Sequence, residues 1–185
     1  MKIAKQLVVL LLLLTMVASA RKRDPLTEAE ADQLRESAME PYKRLKLMIK
    51  FAGARLDSIE QLRADSKSAG GRGRKIHDLL EDFTAILDEI NDNLDQYQGR
   101  PLSKDDRKDF HKGLKEVIEA DERFDLNLKI LKSAMETDPQ TSKEAQDFRF
   151  VFQDAQDALK SSAELAREYI ETSPVENKSE PEKKK

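Results

Sequence analysis

The chain has 185 residues, with 33 basic and 36 acidic side chains, a formal net charge of −3 and no cysteine. That length allows one domain with its own core. The absence of cysteine excludes disulfides, thiolate metal sites and cysteine nucleophiles, and the acidic balance argues against nucleic acid as a partner, which calls for a basic surface.

Residues 1–20, MKIAKQLVVLLLLLTMVASA, have the form of an export signal peptide. Lys2 and Lys5 make the basic start, Val8 to Leu14 the apolar run, and Ala18-Ser19-Ala20 the small-residue cleavage pattern. The run is shorter than the ~20 residues a membrane span needs, so no stable transmembrane span is expected after cleavage. The expected location is the periplasm or the exterior. Arg21-Lys22-Arg23 supports an alternative, an uncleaved N-terminal membrane anchor, because positive charge after the run slows export. Cleavage removes two lysines and no acid, leaving 31 basic against 36 acidic residues, a net −5.

The mature chain, 21–172, reads as four amphipathic helices at about 28–65, 74–97, 104–136 and 142–172, followed by a polar tail at 173–185 expected to be disordered. Thr27 and Glu30 form a capping box for the first. Its apolar stripe is Leu34, Ala38, Tyr42, Leu45, Ile49, Ala52, Leu56 and Ile59. Pro41 predicts a kink or break near Glu40. Ser68 to Gly73 is a glycine-rich turn. The second helix has the cleanest stripe, from Ile76 to Tyr97, and Gly99 and Pro101 end it. Ser103 and Asp106 cap the third, and Asp138-Pro139 breaks the chain after it. Thr141 and Glu144 form a second capping box before a stripe from Ala145 to Tyr169. No β-strand candidate occurs. The fold class predicted is all-α: an antiparallel up-down-up-down four-helix bundle with a long first helix kinked at Pro41.

Two polar residues interrupt these stripes. Phe110, Leu114, Val117, Asp121, Phe124, Leu128, Leu131 and Met135 follow one another in steps of 4 and 3, and one of them is a carboxylate. Continuing the first stripe by four residues gives Arg63. With each helix packed on the next in sequence, Arg63 and Asp121 fall within a turn of the same level. A structural ion pair between them is predicted, since an isolated buried carboxylate loses several kcal/mol of hydration. Lys43, Arg44, Lys46, Lys50 and Arg55 likewise face an acidic run, Asp78 to Asp95, and complementary flanks help choose neighbours.

Catalytic and cofactor chemistry lacks its parts. The residues three before His77 and His111 are Arg74 and Lys108, so the Glu-x-x-His pattern of di-metal bundles fails twice. The last helix has no histidine for a bundled haem. Asp88-Glu89-Ile90-Asn91-Asp92-Asn93 lacks the glycine and terminal glutamate of an EF-hand. No nucleophile elbow, P-loop or HExxH occurs. No enzyme activity, cofactor or metal is therefore expected. Outside the stripes, Leu126, Ile130 and Phe150 form a candidate interaction patch for a protein partner or a homodimer. Leu47 and Phe51 are off-stripe on the first helix.

Leu26-Thr27-Glu28-Ala29-Glu30 resembles the LTxxQ motif of small periplasmic stress chaperones, with glutamate replacing glutamine, and Leu102 to Asp106 is a looser echo. Both coincide with helix caps, which account for them without kinship. The function expected is an exported, non-enzymatic helical bundle with a structural or protein-interaction role. The alternative is a periplasmic stress chaperone or amphipathic carrier of unfolded chains or lipid.

Overall fold

The computed structural model describes residues 23–65, 71–137 and 145–172. The expected export signal, residues 68–70 of the expected glycine-rich turn, the expected break at Asp138-Pro139, the expected Thr141–Glu144 box and the expected disordered tail lie outside them. Among the described residues there are five helices and no strand, and no helix is long and apolar enough to cross a membrane.

Helix α1 spans Glu28–Glu36 and opens on the Thr27 capping box. The Thr27 N–H donates to Glu30 Oε2 at 2.8 Å, and the Glu30 N–H donates to Thr27 Oγ1 at 3.3 Å. The chain turns over Ser37 to Glu40, and α2, Pro41–Ala64, starts with proline at its first position, where the missing N–H has no helical partner to lose. The expected break near Glu40 is thus a full separation into two helices. Helix α3 is Arg72–Gln98, entered through Gly71 at φ 72, a left-handed conformation that glycine adopts without a Cβ clash. Helix α4 is Lys104–Thr137, capped by the Ser103 hydroxyl, which accepts from the Asp106 N–H at 3.2 Å. Helix α5 is Ala145–Thr172.

The stripes meet in one core. Leu45, Ile59, Ile76, Leu80, Phe83, Leu87, Phe110 and Leu114 are among its fully enclosed side chains. The neighbour order differs from the expected one. Helix α2 packs against α3 and α4, α5 packs against the same two, and α1 lies on α2. Helices α3 and α4, consecutive in sequence, face each other across the core through rings: Phe83 with Phe124 at 5.5 Å and Tyr97 with Phe110 at 5.8 Å between centroids. The link 99–103 reaches up to roughly 17 Å when extended, enough to cross the core instead of turning back on an adjacent helix.

Two glycines explain why α2 sits beside α4. A Cβ on Gly113 would lie 2.8 Å from Leu45 Cδ1, and one on Gly53 would lie 3.5 Å from the Phe124 ring. Each helix has a hollow that admits a bulky side chain of the other. Contacts here advance in step along both helices: Leu45 with Gly113, Lys46 with Glu116, Gly53 with Phe124. Between α2 and α3 they run oppositely, Arg44 with Asn93 and Asp65 with Arg72.

Candidate interaction site

Helix α2 carries a second buried face beside its core stripe. Arg44, Met48, Phe51 and Arg55 are spaced 4, 3 and 4 apart, so they align on one side of the helix. Met48 and Phe51 are buried although nothing in the main stripe requires it. Helix α1 and the segment before it lie over this face, anchored at both ends by arginine. Arg44 Nη1 donates to the Leu34 carbonyl at 2.9 Å, while its Nε donates to Asn93 Oδ1 at 2.6 Å and its Nη2 pairs with Glu89 at 3.1 Å. At the other end Arg55 donates to both Glu30 oxygens at 2.8 and 2.6 Å and to the Pro25 carbonyl at 2.6 Å. Arg23 continues the arm onto α3, pairing with Asp82 at 2.7 Å and donating to the Asp78 carbonyl at 2.8 Å.

The electrostatics follow from that geometry. The Arg55 guanidinium, outweighing the effect of burial, holds the Glu30 carboxyl at about 2, and the Thr27 bonds act in the same direction. Burial raises Asp82, with Arg23 opposing it. Glu30 therefore caps α1 and ties it to α2 at once. The off-stripe Phe51 was the sequence signal for this face. What covers it, a fold-back of the residues before Pro41, was not legible. Of the five cations expected to face the acidic flank of α3, Arg44 does so; Arg55 turns to Glu30, Lys43 to Glu40 and Lys46 to Glu116.

The predicted Arg63–Asp121 pair does not form. Arg63 Nη1 binds Glu60 on its own helix at 3.1 Å. Asp121 is 4% exposed in the core, facing Ser162 of α5. The in-step contacts of α2 and α4 place Arg63 about three turns, roughly 18 Å, beyond the level of Asp121. The expectation failed because it carried the level through two helix pairs, and the register of each was off in the same sense. Burial pushes the Asp121 carboxyl up to about 7; the Ser162 hydroxyl and the Arg167 charge pull weakly the other way. The two groups face each other without completing an aligned bond, since Asp121 Oδ2 and Ser162 Oγ both lack a hydrogen-bond partner.

The predicted patch is exposed but divided. Leu126, Ile130 and Phe150 are 58%, 56% and 62% exposed. Ile130 borders a groove between α2 and α4 with Leu56, Asp57 and Glu60. Phe150 borders a groove of about 800 Å³ between α3 and α5, with His77, Glu81, Asp88 and Asp154. These two helix pairs lie on opposite sides of the core, so Phe150 shares no surface with Ile130, while Leu126 and Ile130, four residues apart, stay together on one face of α4. Their expected juxtaposition assumed the sequential neighbour order. His77, Asp78 and Glu81 bring one donor atom each within 4.8 Å of one another, but Asp78 also meets Arg23 at 3.6 Å, a competing cation. Asp121 lines neither groove.

Comparisons with family models, with curated proteins and with solved structures find no match to this chain.

Proposed function

We propose that this chain is an exported, non-enzymatic protein with a structural or protein-interaction role, built as an up-down-up-down four-helix bundle to which α1 is added as an arm. The observation that carries the interaction role is Phe150, a large aromatic side chain on the rim of an open groove between α3 and α5, where Glu81, Asp82, Asp88 and Asp154 stand with Arg23 and Arg74. Exposed aromatics beside a concave surface are the usual anchors of protein interfaces. The non-enzymatic reading is supported by Asp121: among the described residues it is the carboxyl that burial pushes up to about 7, and it lines neither groove. Export rests on residues 1–20 of the sequence.

The stress-chaperone or carrier alternative makes a different prediction. A binder of unfolded chains suppresses aggregation of a denatured test protein at near-stoichiometric ratio and binds an apolar dye strongly. The proposed role predicts no suppression and weak dye binding. Suppression that is lost in Phe150→Ala would replace the proposed reading with the chaperone one.

A further inference from the structure

We infer that α1 is an exchangeable arm, and that the α2 face which holds it accepts α1 of a second copy. The inference goes beyond the interaction reading above, since it concerns the α2 face and not the groove beside Phe150.

The arm is held by its ends. Among the closely packed helix pairs α1 occurs with α2 alone, and of Glu28–Glu36 only Leu34 is buried. The grip comes from Arg44 on the Leu34 carbonyl and Arg55 on Glu30 and the Pro25 carbonyl. None of these contacts depends on the arm and the groove belonging to one chain. A second copy presents the same carboxylate, carbonyls and leucine.

The hinge supplies the freedom. Ser37 to Glu40 join α1 to α2, and Met39 at their centre is 91% exposed. Glu40 sits at φ −119, ψ 85, outside the helical region that a following proline disfavours. The turn is closed by local bonds, Glu40 N–H to the Ser37 carbonyl at 2.9 Å and Ala38 N–H to the Arg35 carbonyl at 3.2 Å. Opening it sacrifices these and also the Ser37 N–H bond to the Gln33 carbonyl at 3.1 Å and the burial of Ser37, while docking in trans restores the burial of Leu34. The groove contacts are the same in cis and in trans, so the balance depends on hinge geometry and protein concentration, the conditions under which identical elements exchange between protomers. The opened dimer places Glu30 of each copy on Arg55 of the other.

Deleting Ala38 and Met39 tests this, because the shortened hinge no longer lets the arm fold back. The arm then either docks in trans or stays free. The expected result is a doubling of mass by light scattering, reversed to the single mass when Glu30→Arg is added. A shortened-hinge chain that stays at the single mass at all concentrations overturns the proposal. A mixing experiment is independent of the deletion. Glu30→Arg and Arg55→Glu each mismatch the arm in cis, and only exchange between the two variants restores opposite charges at both junctions. Each alone is expected at the single mass and the equimolar mixture at twice that mass. A mixture at the single mass refutes arm exchange. Arg23 and Pro25 of the arm segment also line the α3/α5 groove, so the Phe150→Ala comparison above is made on the chain with its hinge and arm unaltered, and stands or falls separately.

Discussion

Asp121→Asn isolates the effect of a carboxyl enclosed in the core. In the folded chain burial raises this group from 3.8 to about 7. A group whose folded value lies above its unfolded value binds its proton more tightly when folded. Its contribution is therefore unchanged below about pH 4, where both states are protonated, falls steadily as pH rises from about 4 to 7, and is level above that. The separation corresponds to about 4 kcal/mol lost by pH 8. Asparagine has nearly the same shape, does not titrate, and carries an amide that can donate to Ser162 Oγ. Urea denaturation of both proteins at pH 4.5, 6 and 8, followed by circular dichroism, gives the difference directly. Other carboxylates, Glu30 included, titrate alike in both chains and cancel. The variant should gain about 1 kcal/mol at pH 4.5, about 3 kcal/mol at pH 6 and up to about 4 kcal/mol at pH 8. A difference that does not change with pH, or a variant less stable than the parent at pH 8, refutes the picture of a carboxylate enclosed without a partner.

Arg55→Ala should free the arm and leave the bundle intact. With about 2 kcal/mol assigned to the Glu30 contact, hydrogen exchange of the α1 amides should accelerate roughly 30-fold, while α3 and α4 keep their protection. Because Glu30 has its folded value lowered to about 2, its contribution is present above pH 4.5 and is lost as pH falls toward 2; acid should release the arm in the parent chain and change little in the variant. Gly113→Ala should destabilise by about 1–3 kcal/mol through overpacking against Leu45, whereas Gly53→Ala, with ordinary contact distance to Phe124, should gain up to about 1 kcal/mol of helix propensity; equal effects in urea titrations would contradict the asymmetric fit. Leu126→Lys and Ile130→Lys should leave the denaturation midpoint within about 0.5 kcal/mol of the parent, as expected at exposed sites.

Much of the helical content was legible because its determinants are local. The Thr27–Glu30 box, the 4-and-3 spacing from Phe110 to Met135 and the stop at Gly99 each act within a turn or two of chain. The burial of Asp121 was legible for the same reason, since its place in the stripe puts it on the core face whichever helix lies opposite. The identity of its neighbour was not. Ser162 stands about forty residues away on a helix whose side of the core depends on the path of two links. Arg63 was assigned by carrying a level through two pairings, where small register errors add. Leu126, Ile130 and Phe150, read as off-stripe, are exposed, and the separation of Phe150 from Leu126 and Ile130 again followed from neighbour order.

By itself the sequence determined where helices start and stop, which faces are apolar, and that a carboxyl would lie in one of those faces, because capping and periodicity are properties of short stretches of backbone. Only the tertiary structure decided that α4 lies beside α2 and across from α3, that Asp121 meets Ser162, and that the residues before Pro41 fold back on Arg44 and Arg55. Those outcomes turn on how Leu45 fits over Gly113 and Phe124 over Gly53, complementarity between surfaces distant in the chain that no periodicity within one helix encodes.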